Sequence, residues 1–312
     1  MISRSVRLPA RRSLPVLAVL VLSLAVACGS AATTTQAPAA SPHGAADGAI
    51  KPMLATTVLR VGAQRVAFLL ATAQSLIMAP EASVTSVFLG EGEAPGETKQ
   101  AAFHLWPYGV RGAYSTELTF DRPGPWRLDI EVEGPDGPAQ ARLPVEVAER
   151  VGVPEIGSIP PLSRNKTVHT AGGLEELTTD FTPDPDLYQL TIAEAVITGR
   201  PTVIVFATPA FCSSPTCGPQ VDTVSELKDL HREEANFIHV ELYDNPQEIQ
   251  GDFNEAAFTG LVHEWGLSSI PHWFNESWTF VLGRDGRIAQ RFEGFSTLDE
   301  LETALGEALT ET

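Results

Sequence analysis

From about residue 53 to residue 148, apolar and polar positions alternate with a period of two in short runs that break at glycine and proline. The runs are TTVLRVG, RVAFLLAT, SVTSVFL, AAFHLW, YSTELTF, WRLDIEVE and ARLPVEVA, with GEGEAPGE, DRPGP and GPDGP between some of them. Alternation turns one side of each run to a core and the other to water, so the runs predict strands. Their close spacing, without any helical period, predicts an antiparallel β-sandwich of about seven strands. After residue 186 the pattern changes. PTVIVFA (201–207) is continuously apolar and β-branched, as a strand buried on both faces is, and FIHVELY (237–243) is a second strand. Between them Val221, Val224, Leu227 and Leu230 recur at helical spacing behind Pro219, a residue suited to a first helical turn. LTIAEAVITG (190–199), closed by Gly199, and EAAFTGLVHEWG (255–266) read as further helices. WTFVLGRDGRIAQRFEG (278–294) reads as a hairpin, and TLDELETALGEAL (297–309) as an amphipathic helix with Thr297 and Glu300 spaced as a capping box. The expectation is two domains, an all-β sandwich over 53–148 and an α/β domain over 186–312.

Two other stretches show neither period. Residues 29–52, beginning GSAATTTQAPAASPHGAADGA, are small and polar and predict a disordered tether. Residues 149–185 contain SIPPLS and DFTPDPD and predict an extended, proline-rich linker lying along the domain that follows.

The chain has 312 residues, 43% of them apolar, which suffices for two cores. Its 21 basic residues face 39 acidic ones, and four of the 21 (Arg4, Arg7, Arg11, Arg12) fall in the first dozen positions, leaving 17 against 39. So acidic a surface argues against nucleic acid or anionic lipid headgroups as partners. The same four arginines precede LPVLAVLVLSLAVA (Leu14 to Ala27), 14 residues and short of the roughly 20 that span a bilayer. That layout is expected of an export signal over residues 1–28, ending in lipidation or in simple cleavage. LAVAC resembles a bacterial lipobox, which implies a diacylglycerol on Cys28 and a chain held at the extracytoplasmic face of a bacterial cell membrane. Ala25 and Val26 depart from the commonest lipobox residues. With Cys28 lipidated, Cys212 and Cys217 remain as an even pair in an oxidising compartment.

GAYSTELTFDRPGPWRLDIEVEG resembles the late hairpin of immunoglobulin-like modules of bacterial extracytoplasmic proteins. Trp126 is then a core aromatic. His104 suggests a copper ligand, but Met53 and Met78 are the only methionines besides the first residue, too few for a methionine-rich copper site. In the second half VIVFATPAFC, ELYDNP, EWGL and FVLGRDGRI, in the order strand, cysteine loop, helix, strand, helix, hairpin, helix, resemble the thioredoxin superfamily. The resemblance implies thiol–disulfide exchange with protein thiols and disulfides, with Cys212 and Cys217 as the catalytic pair and no cofactor. It also implies a cis-proline facing the cysteines, for which Pro271 matches by local motif and Ser277 by register from the hairpin.

The spacing departs from that superfamily. Gln220 in CGPQ stands where the resolving cysteine of Cys-Gly-Pro-Cys would be, and Cys212 is the partner through the insert SSPT. Cys-x4-Cys is nearer to the Cys-x3-Cys loop of Sco-type copper-assembly proteins. That resemblance implies a copper site of Cys212, Cys217 and a histidine; counting from GRDG the third position is Asn275, with His272 or His263 as substitutes. Pro209 stands where a peroxiredoxin would carry threonine, which disfavours that chemistry. A helix starting at Pro219 places Cys217 nearest the dipole and so favours its thiolate, whereas analogy makes Cys212 the exposed attacker. As a staple the pair would close a loop so short that it stabilises by only about 2 kcal/mol in the chain-entropy model, so its place after the central strand favours chemistry. A third expectation is an interaction module whose sandwich binds a cell-envelope partner.

Overall fold

A computed structural model describes residues 50–90, 92–107, 109, 111–249, 256–273 and 276–310. The expected export signal, Cys28, the expected tether up to residue 49 and Asn275 lie outside the described residues.

The alternating runs form the strands β1 (Lys51–Leu54), β2 (Leu59–Arg60), β3 (Gly62–Ala71), β4 (Glu81–Phe88), β5 (Ala94–Leu105), β6 (Gly112–Phe120), β7 (Gly124–Gly134) and β8 (Gly137–Ala148). They make one sheet in the order β1-β3-β6-β5-β4-β7-β8-β2, antiparallel except where β2 runs parallel to β8. This corrects the expected sandwich of two sheets. β2 ends the order at one edge and β3 lies next to the other edge, yet Val61 alone joins them, so the sheet must curl until its edges meet. Gly62 makes that corner with φ +103°, where a Cβ would also stand 2.9 Å from Arg60 Nη1. The inward faces share a core of Phe68, Tyr114, Leu118, Phe120, Trp126 and Leu128, with Trp126 edge-on to Phe120. Trp126 is the core aromatic it was expected to be.

The rest of the chain contributes β9 (Thr202–Ala207), β10 (Asn236–Glu241), β11 (Trp278–Leu282) and β12 (Ile288–Glu293), ordered β10-β9-β11-β12, with only the β10–β9 pair parallel. Its α-helices are α1 (Ile192–Val196), α2 (Cys217–His231), α3 (Pro246–Ile249), α4 (Gly260–Glu264) and α5 (Leu298–Thr310). Alternate residues of β9 serve opposite faces. Val203 and Val205 pack with Val221, Val224 and Leu227 of α2 and Leu301 and Leu305 of α5. Ile204 and Phe206 pack with Trp265, Phe280 and Val153. Leu230, expected on the apolar stripe of α2, is exposed.

The thioredoxin-like α/β domain, and with it the Sco-type assignment, is not what the chain forms. Among the described residues strand predominates, through twelve strands in two sheets, and three of the five α-helices have only four or five residues. The readings at 190–199 and 255–266 yield only α1 and α4, each followed within three residues by a glycine in the left-handed region, Gly199 (φ 72°) and Gly266 (φ 71°). At Gly266 a Cβ would stand 2.0 Å from Gly152 O, so irregular chain occupies the space a longer helix would need. One face of the four-stranded sheet is thus covered by α1, α4 and irregular segments rather than by a layer of long helices.

Polar contacts bind the eight-stranded sheet to α5 and the loop before it. Arg65 on β3 donates from Nε to Glu300 Oε1 (2.7 Å) and from Nη2 to Phe295 O (3.1 Å), and Ser115 on β6 donates to the same Oε1 (2.9 Å). Glu300 also accepts from Thr297 N at 2.9 Å, as the capping box requires. Burial alone would raise the Glu300 pKa, but the charge and hydrogen bond of Arg65 and the Thr297 amide outweigh it and hold the carboxyl at about 2. Glu300→Ala leaves a mostly buried guanidinium without its partner, so it is expected to lower the unfolding free energy by about 3 kcal/mol, read from a urea midpoint. An unchanged midpoint would show that this bridge contributes nothing in solution.

Candidate functional site

The site is built where β9 ends. Thr208 is buried and the chain then turns outward through Pro209 to Phe211 before re-entering at Thr216. Cys212 and Cys217 are disulfide-bonded, with Cα atoms 5.9 Å apart. Cys217 is the first residue of α2 and fully buried, packed into the core between α2 and β9, whereas Cys212 is half-buried on the loop. The two cysteines therefore differ in burial. They also differ in field, because Cys217 lies at the first turn of a 15-residue helix, where free N–H groups favour negative charge.

The loop is held against a carboxylate. Glu276 lies two residues before β11 and its Oε1 accepts from Thr216 Oγ1 (2.7 Å), Ser214 Oγ (2.9 Å) and Ser277 N (3.3 Å). Cys212 Sγ is 4.0 Å from the same oxygen and 3.7 Å from Ser214 Oγ. Cys212, Cys217 and Glu276 are the group of possible metal ligands that the fold gathers among the described residues, with ligand atoms all within 4.8 Å. Nothing in the sequence pattern marks Glu276, since a lone glutamate 59 residues beyond Cys217 shows its role only once β11 lies beside β9.

The other expected residues are dispersed. Ser277, the register-based choice, is fully buried, and its backbone N–H donates to the Oε1 of Glu276 just before it. Pro271 is exposed, follows a trans peptide bond, and lines a separate cavity with Thr57, Glu146 and Arg150 at the edge of the eight-stranded sheet. His272 is exposed, with φ 64°, and does not belong to the group around the sulfurs. His263 is exposed on α4, paired with Ser268 Oγ at 3.2 Å. His104 faces Glu300 at 3.9 Å. Gln220 is buried, and its Oε1 accepts from Ser296 N, tying α2 to the start of α5.

Two features were not legible in the sequence. A cavity of about 190 Å³ adjoins the disulfide loop, walled by Ser214, Thr216 and Glu276 on one side and by Leu69 of β3 and Trp106 just after β5 on the other. Behind the loop, buried Glu241 accepts from Thr179 N and Thr179 Oγ1, both at 2.8 Å, and Thr179 Oγ1 in turn accepts from Ala210 N at 3.2 Å. Burial pushes the Glu241 carboxyl up to about 7. Next to it His239 Nε2 donates to Ala207 O (3.1 Å), so its Nδ1 accepts from Tyr188 Oη (2.7 Å). Burial holds this imidazole neutral, with its pKa lowered to about 4. The buried polar groups thus brace the end of β9 and the outgoing loop.

No protein-family model matches the chain, and no curated protein matches it. Among solved structures, the PKD domain of the human VPS10 domain-containing receptor SorCS2 aligns at 16% identity over 40% of this chain and 94% of its own length, with a TM-score of 0.19. A likeness that weak supports no argument about fold or function.

Proposed function

We propose that this protein exchanges thiols and disulfides with partner proteins outside the cytoplasm, held to the membrane by lipid on Cys28. The observation that carries the reading is the asymmetry of the bridge, with Cys212 half-buried on the loop and Cys217 fully buried in the first turn of a helix. In the reduced form the Cys212 thiolate attacks one sulfur of a partner's disulfide, forming a mixed disulfide and releasing the partner's other sulfur as a thiolate. Cys217 then attacks Cys212 Sγ, closing the internal bridge and releasing the second partner thiolate. The partner has gained two electrons and this protein has lost them; the reverse sequence oxidises a partner dithiol. When Cys212 takes part in the reverse direction, Cys217 is the leaving thiolate, and the helix terminus makes it a better one. The cavity beside the loop offers the partner chain a surface formed partly by the eight-stranded sheet, which gives that sheet a role in docking. The acidic composition supports protein rather than nucleic-acid partners.

The test is the reduction potential of the pair, measured against dithiol buffers on protein carrying Cys28→Ser. A value above about −300 mV, with exchange onto a protein disulfide, is expected. A lower value without exchange would identify a structural bridge and end this reading.

A further inference from the structure

We infer that the reduced protein binds a divalent cation of zinc-like chemistry through Cys212, Cys217 and Glu276. The inference rests on the reading that the bridge is reducible. The three ligand atoms lie within 4.8 Å of one another, and Cys212 Sγ is already 4.0 Å from Glu276 Oε1. A tetrahedral zinc ion with bonds of about 2.0–2.3 Å keeps its ligand atoms roughly 3.3–3.8 Å apart, so once reduction breaks the S–S bond the two sulfurs part by roughly 1.5 Å while Glu276 draws in toward them.

The donor set selects the ion. Two thiolates and one carboxylate suit a borderline cation such as zinc, whereas copper(I) prefers soft donors throughout and gains little from a carboxylate oxygen. The sulfur-only part of the set would not by itself exclude copper; Glu276 in the place of a histidine does the discriminating. The carboxylate is also oriented. The Ser214 and Thr216 hydroxyls and the Ser277 N–H all donate to Oε1 and fix it on the side of Cys212 Sγ. Hydroxyl donors of this kind behind a ligating group hold it in a binding rotamer. With three protein ligands, the fourth position of a tetrahedral ion is left to water or a visiting group.

Binding and redox state are then exclusive. A dithiol reductant gives two electrons and two protons to the bridge and becomes a disulfide itself. The two cysteine thiols lose those protons as the ion binds. Reoxidation re-forms the S–S bond, removes both sulfur donors and releases the ion.

The experiment uses the full chain carrying Cys28→Ser, reduced, freed of reductant under anaerobic conditions and checked by thiol titration, with cobalt(II) as the spectroscopic probe. Expected are thiolate-to-cobalt charge-transfer bands saturating at one equivalent, displaced by zinc(II) and absent from oxidised protein. Glu276→Gln is expected to weaken binding by roughly tenfold or more, Glu276→Asp to restore part of it, and His272→Ala to change nothing. Two free thiols without charge-transfer bands would overturn the inference while leaving the exchange reading intact, as would undiminished binding in folded Glu276→Gln protein. Failure to release any thiols under reduction would overturn both. Copper(I) binding that depends on His272, without cobalt binding, would overturn it in favour of a copper site.

Discussion

Protein carrying Cys217→Ser is expected to accumulate stable mixed disulfides with partner thiols at Cys212, and protein carrying Cys212→Ser to accumulate none. The dipole of α2 and the accessibility of the two sulfurs point to different cysteines, and the structure separates the roles. Cys217 has the favourable field but no exposed surface, while Cys212 is half-buried on the loop. A nucleophile must meet its target, so access decides which sulfur attacks and is attacked; the field decides which sulfur leaves. In reduced wild-type protein, alkylation of Cys212 is therefore expected to exceed that of Cys217 by about a hundredfold, the factor set by a local opening of roughly 3 kcal/mol. Mass spectrometry of briefly alkylated protein reads the ratio directly. Equal labelling would mean that α2 frays readily, and the assignment of attacker and leaving group would fall.

Stability is expected to decrease as pH rises from 5 to 8, by several kcal/mol in total. Two carboxyls are responsible. Burial raises both Glu241 and Glu293 to about 7, from an ordinary value of 4.5. In each case the folded state holds a proton that the unfolded state has lost, so the added stability is complete below pH 4.5 and declines as pH climbs through 7. A shift of that size corresponds to about 3 kcal/mol per group. Glu293 carries a further cost, because its Oε1 is buried with no hydrogen-bond partner among the described residues while Oε2 accepts from Thr57 N at 2.9 Å. Glu300 acts in the opposite direction and in a separate window. Its pKa of about 2 adds stability above 4.5 that disappears as pH falls through 2. Maximum stability is thus expected near pH 4.5 to 5. Urea midpoints across the range test this, and Glu241→Gln with Glu293→Gln is expected to flatten the decline. A midpoint that does not move between pH 5 and 8 would show that these carboxyls are better hydrated than their burial indicates.

Local pattern carried much of the strand map. Each alternating run between 56 and 148 became a strand, because a period of two has a direct meaning on a pleated surface. β1 escaped notice since KPML has no alternation long enough to read. The helices expected at 190–199 and 255–266 are shorter than their apolar spacing implies, because Gly199 and Gly266 adopt the left-handed region and, at Gly266, the chain at Gly152 closes over the end. The number of sheets was not legible either, because the place of β2 beside β8 at one edge and of β3 beside β1 at the other is a fact of pairing, and pairing joins residues far apart in the chain.

For the site, the cysteine pair and its place between a buried strand and a helix followed from residue types and spacing alone, since strand burial and helix initiation are local properties. Tertiary structure decided the rest: that Glu276 rather than His272 stands beside the sulfurs, that Ser277 is buried behind Glu276 while Pro271 lines a separate cavity, and that Cys217 is fully buried where Cys212 is half-buried. Those outcomes depend on which strand lies beside β9 and what packs over α2, interactions between segments whose separation along the chain hides them from any local pattern.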